Sequence, residues 1–96
     1  MLSESILVEF KQEYTSAIVK TVVAFANTNG GTIYIGVDDN GSIVGVEDAD
    51  STMLKLSNTV RDSIKPDVTL FVEYHQEIIE GKTIVRAEVQ KGTSCP

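Results

Sequence analysis

Ala24-Phe25-Ala26-Asn27-Thr28-Asn29-Gly30-Gly31-Thr32-Ile33-Tyr34-Ile35-Gly36-Val37-Asp38-Asp39-Asn40-Gly41 is the stretch whose reading decides the fold. Its first residues close an apolar helix face. Asn-Thr-Asn-Gly-Gly stops that helix, because Asn and Gly tolerate the left-handed conformation that a helix C-terminus favours. Thr32 to Val37 is β-branched and aromatic and predicts a strand. Asp38-Asp39-Asn40-Gly41 turns the chain, and Ser42-Ile43-Val44-Gly45-Val46 is expected to return as a second strand.

Working outward, Ile6 to Lys11 predicts a short first strand. Ile6, Val8 and Phe10 share one face, and Leu7, Glu9 and Lys11 the other. Thr15 or Ser16 is a suitable N-cap for the following helix. Its apolar positions are Ile18, Val22 and Phe25, with Val19, Val23 and Ala26 beside them, a broad stripe that fits burial against a sheet. Asp50-Ser51-Thr52 predicts the start of a second helix with Met53, Leu56, Val60 and Ile64 on one face, stopped by Lys65-Pro66. Val68 to Ile79 predicts a long strand, joined at Glu80-Gly81-Lys82 to a partner over Thr83 to Gln90. In that partner Val85, Ala87 and Val89 face the core, while Ile84, Arg86 and Glu88 face away.

The expected order is β-α-β-β-α-β-β, an α/β (α+β) two-layer sandwich with two helices and a mixed or antiparallel sheet. The 96 residues form a single domain, residues 1–96. Lys91 to Pro96 has the character of a loop, which leads us to expect the N-terminal fragment of a longer protein. The exposed sheet edge and this unfinished end are features of a chain that self-associates, so a homo-oligomer is a further expectation.

Composition narrows the function. No apolar run approaches the ~20 residues of a membrane span, and Met1-Leu2-Ser3-Glu4 lacks the basic start of a secretory signal. A single cysteine, Cys95, excludes an internal disulfide or a cysteine-based zinc site. A cytoplasmic location is expected, with no membrane partner. The net charge is −6, from 8 Lys and Arg against 14 Asp and Glu. That total disfavours indiscriminate nucleic-acid binding, which runs on phosphate neutralisation, but it leaves room for a local basic patch. Asp38, Asp39, Glu47, Asp48 and Asp50 form an acidic run that no base interrupts.

The chemistry-bearing candidates are Glu4, Glu9 and Asp39, with Asp38 alongside. Hard divalent cations such as Mg²⁺ and Mn²⁺ take carboxylate oxygens. Metal-dependent phosphodiester cleavage gathers such carboxylates on one or two ions, commonly with a lysine near the scissile phosphate. Glu9 and Lys11, two apart on a strand, project from one face. The plain alternative is a solvated strand face with a weak ion pair, and for Asp-Asp-Asn-Gly an ordinary hairpin turn. Gly30 and Gly31 follow a helix instead of preceding one, the wrong order for a phosphate cradle. Positive φ and a close helix–sheet approach explain them. His75 has no Cys or His spaced for zinc and reads as a strand-surface histidine. Phe10 and Phe25 read as core.

Three segments together resemble the Schlafen AlbA-like domain, a family also filed as divergent AAA-type. They are Glu4-Ser5-Ile6-Leu7-Val8-Glu9-Phe10-Lys11, Ala24 to Gly31, and Gly36-Val37-Asp38-Asp39-Asn40-Gly41. Lys91-Gly92-Thr93-Ser94-Cys95-Pro96 is similar to a later loop of the same family. The resemblance implies a DNA-binding N-terminal module of a bacterial transcriptional regulator, with further domains downstream and no cofactor required for binding. It also implies an alternative. A similar domain in vertebrate Schlafen proteins cleaves RNA, including tRNA, with three acids and a divalent metal. Those acids fall on Glu4, Glu9 and Asp39, which makes a Mg²⁺- or Mn²⁺-dependent ribonuclease the second expectation, with Lys11 at the phosphate.

Overall fold

A computed structural model describes residues 7–63 and 71–91. Its elements are β1 (Val8–Lys11), α1 (Ile18–Ala26), β2 (Gly31–Ile35), α2 (Ala49–Ser63), β3 (Val72–Ile79) and β4 (Lys82–Val89). They build a four-stranded sheet in the order β1-β2-β4-β3. β1 and β2 are parallel, as a strand–helix–strand crossover requires, and β2–β4 and β3–β4 are antiparallel. The α+β two-layer class expected from the sequence holds. None of the described helices is long and apolar enough to cross a membrane.

Both helices lie on one face of the sheet. Ile18, Val22 and Phe25 of α1 and Leu56 and Val60 of α2 are buried against Ile33, Ile35, Val85, Ala87 and Val89. Of the broad stripe on α1, Val23 is left substantially exposed. Val72 and Tyr74 of β3 pack onto the same core, and burial pushes the Tyr74 phenol above its ordinary range.

The helix exit follows the reading of Asn27–Gly31, but one residue does most of it. Asn27 stays right-handed at φ −83°, and Gly30 takes the left-handed turn at φ +88°. Its N–H bonds back to the Phe25 carbonyl at 2.8 Å. At Gly31 a β-carbon would lie 2.5 Å from the Phe25 ring. The two glycines therefore do different jobs: one turns the chain and the other makes room for the ring.

Three local expectations change. The entry to α1 uses no side-chain cap. A tight turn instead supplies the carbonyls of Thr15, Ser16 and Ala17 to the amides of Ile18, Val19 and Lys20, so neither hydroxyl is needed. The α2 N-cap is Asp48, whose Oδ1 accepts the Ser51 N–H at 3.0 Å. The strand expected over Ser42–Val46 is reduced to one bridge, Val37↔Ile43. Gly36, Gly41 and Gly45 all have positive φ there, and the amides of Val44 and Gly45 both turn to the Gly36 carbonyl, which breaks a ladder before it extends. The segment instead covers the helix-free face at Ile43 and then turns to the sheet edge, where the Val46 N–H reaches the Thr83 carbonyl at 2.8 Å and its side chain packs on the helix-side core. Ile84 does face away from the helices, yet this cover buries it fully. At the last turn Glu80 (φ +56°) and Gly81 (φ +76°) form the expected tight hairpin. Ile6, Ile64 to Pro66 and Val68 to Leu70 lie outside the described residues.

Gly30→Ala should destabilise the domain by about 2 kcal/mol, since a β-carbon there meets both a left-handed backbone and the Val89 carbonyl at 2.5 Å. Urea denaturation followed by far-UV circular dichroism checks this, and an unchanged midpoint would refute the structural role.

Candidate functional site

Glu9 and Lys11 stand on β1, at one edge of the described sheet. Their register partners are Ile33 and Ile35, so both side chains project from the helix-bearing face, at its rim. Lys11 Nζ lies 3.4 Å from Glu9 Oε2, with the side chains 37% and 42% exposed. An ion pair that open contributes well under ~1 kcal/mol to stability. Both groups therefore remain available to a ligand at little cost.

The acidic turn hangs from the end of the same strand. The amides of Gly36 and Val37 both donate to the Lys11 carbonyl, at 2.7 and 3.2 Å. Asp38 is consumed by the turn itself. Its Oδ1 accepts the N–H groups of Asn40 and Ser42, each at 2.9 Å, which holds the bend as an Asx turn. Asp39 is exposed, and its side chain has no hydrogen-bond or ion-pair partner among the described residues. Within the Asp-Asp pair the first acid is structural and the second is uncommitted. Glu4 lies outside the described residues.

The rest of the acidic run is dispersed. Asp48 caps α2, and Asp50 accepts a hydrogen bond from Gln76 of β3 at 2.5 Å. A cleft of about 560 Å³ opens beside Glu13, Glu47, Asp48 and Lys55, between the β1–α1 connection and the start of α2.

The helix-free face carries a transverse row, Phe10–Tyr34–Arg86–His75, one residue from each strand. The Phe10 and Tyr34 rings are 6.0 Å apart and tilted by 51°. Phe10, expected in the core, is half-buried here, outside the core beneath the helices. Together with Val37, Ile43, Ile79 and Ile84 it lines an apolar cavity of about 300 Å³ under the folded-over segment. Arg86 is held between two acids: its Nε donates to Glu77 Oε2 at 2.6 Å, and its Nη1 pairs with Glu88.

One constellation escaped the sequence reading. Among the described residues, the donor atoms of Glu73, His75 and Glu88 all lie within 4.8 Å of one another. Along the chain His75 has no Cys or His at ligand spacing. The signal was present in the hairpin: a turn pairing Ile79 with Lys82 places Glu73 opposite Glu88.

Against known families, the model described as Schlafen, AlbA_2 matches residues 4–96.

The two adjacent aspartates give a discriminating pair of variants. Asp38→Ala should cost about 1 kcal/mol by removing the acceptor of two backbone amides, whereas Asp39→Asn should stay within ~0.5 kcal/mol of wild type. Parallel urea titrations read both. Equal losses would show that Asp39 shares the structural role.

Proposed function

The chain belongs to the Schlafen AlbA_2 family, and from that premise we propose that it is a nucleic-acid-binding module. In its finer form this is the DNA-binding N-terminal part of a bacterial transcriptional regulator acting in the cytoplasm. The observation that carries the reading is the family match across residues 4–96. Binding needs no cofactor, because phosphate contacts from lysine and arginine supply the attraction. Exposed Lys20, Lys55, Arg61, Lys82 and Lys91, together with the half-exposed Lys11, are the positive groups on offer among the described residues. The partners are DNA or RNA, the downstream domains of a longer chain, and a second copy of this one.

A second reading is a divalent-metal-dependent ribonuclease. It is favoured by the split within the Asp-Asp pair: Asp38 is spent on the turn, while Asp39 is exposed and has no partner among the described residues. In this reading Glu4, Glu9 and Asp39 hold Mg²⁺ or Mn²⁺, and Lys11 sits at the phosphate. The metal supplies Lewis-acid polarisation of the phosphoryl group when bound. The chain's own contribution is to place carboxylates at a fixed bend beside an edge strand, and to keep a lysine where negative charge accumulates.

Fluorescence anisotropy with labelled duplex DNA, single-stranded DNA and tRNA across a salt series tests the first reading. Log affinity is expected to fall linearly with log salt, by about 0.9 per duplex phosphate neutralised. An absence of salt-sensitive binding to all three would sink it. For the second, tRNA is incubated with Mn²⁺ and with EDTA. Cleavage should require the metal and vanish in Asp39→Asn. Equal cleavage by variant and wild type would remove that reading and leave the binding module standing.

A further inference from the structure

We infer that Glu73, His75 and Glu88 form a binding site for a divalent transition ion such as Zn²⁺, clamped across the β3–β4 hairpin on the helix-free face. The inference is independent of the nucleic-acid reading and uses none of its residues.

The backbone sets the geometry. Glu73 and His75 are two apart on β3, so their side chains leave the same face. Glu88 is the direct antiparallel partner of Glu73. Two adjacent side chains on one strand and a third across the ladder make a tripod whose feet the sheet spaces. The donor atoms converge within 4.8 Å. His75 Nε2 and Glu73 Oε1 are 3.3 Å apart. Ligands at the usual Zn–N and Zn–O lengths, arranged tetrahedrally, lie about 3.4 Å apart. This pair therefore already has the spacing of two ligands on one ion.

The electrostatics of the face ask for a cation at this point. Two carboxylates directly opposite on neighbouring strands repel. The guanidinium of Arg86 relieves the arrangement from one side only, since it is shared by Glu77 and Glu88. Among the described residues Glu73 has only the His75 ring beside it, so no cation stands between its carboxylate and that of Glu88. A divalent ion between them cancels both. Arg86 pairs with Glu88 through Oε2, which leaves Oε1 for the metal. A carboxylate ligand held in this way by an outer partner has its orientation fixed. One imidazole with two carboxylates suits Zn²⁺ and its first-row neighbours better than Mg²⁺ or Ca²⁺, which prefer oxygen throughout. All three ligands are partly exposed, so the remaining coordination positions open to solvent.

The test uses Zn²⁺ alone on the full chain, stripped with chelator, in a Cys95→Ser background that removes its one thiol. The chain holds a single histidine, so any imidazole resonance in a heteronuclear NMR titration belongs to His75. Saturable shifts of those resonances are expected, with a matching calorimetric isotherm and a rise in melting temperature. His75→Ala and Glu88→Gln should each weaken binding by at least ~10-fold, the loss that even an outer-sphere partner brings. Asp62→Asn, an exposed acid on α2, should leave it unchanged. Unmoved His75 resonances at saturating Zn²⁺ would overturn the site. So would a thermal shift that survives in His75→Ala. The NMR arm needs no variant, so misfolding of a mutant cannot shield the proposal.

Discussion

The contact on which the rest of this domain depends is the Phe25 ring lying over Gly31. Gly31 is the first residue of β2 and pairs with Val89 of β4, so the ring sits where the helix layer first meets the sheet. Any side chain at Gly31 would occupy the ring's place, and displacing the ring would open the α1–sheet contact. Gly30 makes the approach possible, because its left-handed backbone redirects the chain from the turn after the helix into the strand. Once α1 is seated, the crossover from β1 to β2 is fixed in length and direction, and the parallel register Val8↔Thr32 to Lys11↔Ile35 follows. That register places Glu9 and Lys11 on the helix-side rim and Phe10 on the opposite face. The location of the family's motif residues is thus a consequence of a packing contact elsewhere.

Period and turn chemistry made one half of the molecule readable from residues alone. Ile18, Val22 and Phe25 at helical spacing, Val85, Ala87 and Val89 at strand spacing, and Leu56 and Val60 on α2 all mark the face that the helices cover. The other face was harder. Ser42 to Val46 has the composition of a strand, but propensity for a pleated surface cannot form a ladder when glycines at 36, 41 and 45 take positive φ. The same segment supplied the cover over Ile84 and Phe10, and no local pattern announces that a loop will fold back across a sheet. Burial on that side is a long-range outcome, decided by bonds such as Val46 N–H to the Thr83 carbonyl.

The candidate sites divide along the same line. Glu9 and Lys11 were legible because two residues on one strand share a face whatever the tertiary structure does. The different fates of Asp38 and Asp39 were not legible, because both fit the composition of a turn; only the bonds to Asn40 and Ser42 separate them. Glu73, His75 and Glu88 were missed because ligand spacing was counted along the chain, whereas a hairpin brings residues together by equal distance from its turn.

An acidic domain proposed to meet nucleic acid raises the question of where phosphate can approach. The acids are spread over the fold and not pooled at one place: Glu9 stands beside Lys11, Asp38 holds its turn, Asp48 caps α2, Asp50 accepts from Gln76, and Glu77 and Glu88 flank Arg86. Among the described residues Lys20, Lys55 and Lys91 are exposed and in no ion pair. Local field, not net charge, governs encounter. The helix-free face is the poorer candidate, because Glu73, Glu77 and Glu88 stand there against one guanidinium, which pairs with only two of them, and a phosphate would be repelled on arrival. The aromatic pair Phe10–Tyr34 lies on that same unfavourable face and lines the cavity beneath the folded-over segment, so it is not an open stacking platform. A divalent ion at Glu73, His75 and Glu88 would neutralise the excess beside the row that contains those rings. The two proposals stay separable in the test tube, yet they bear on one physical point, the charge carried by this face.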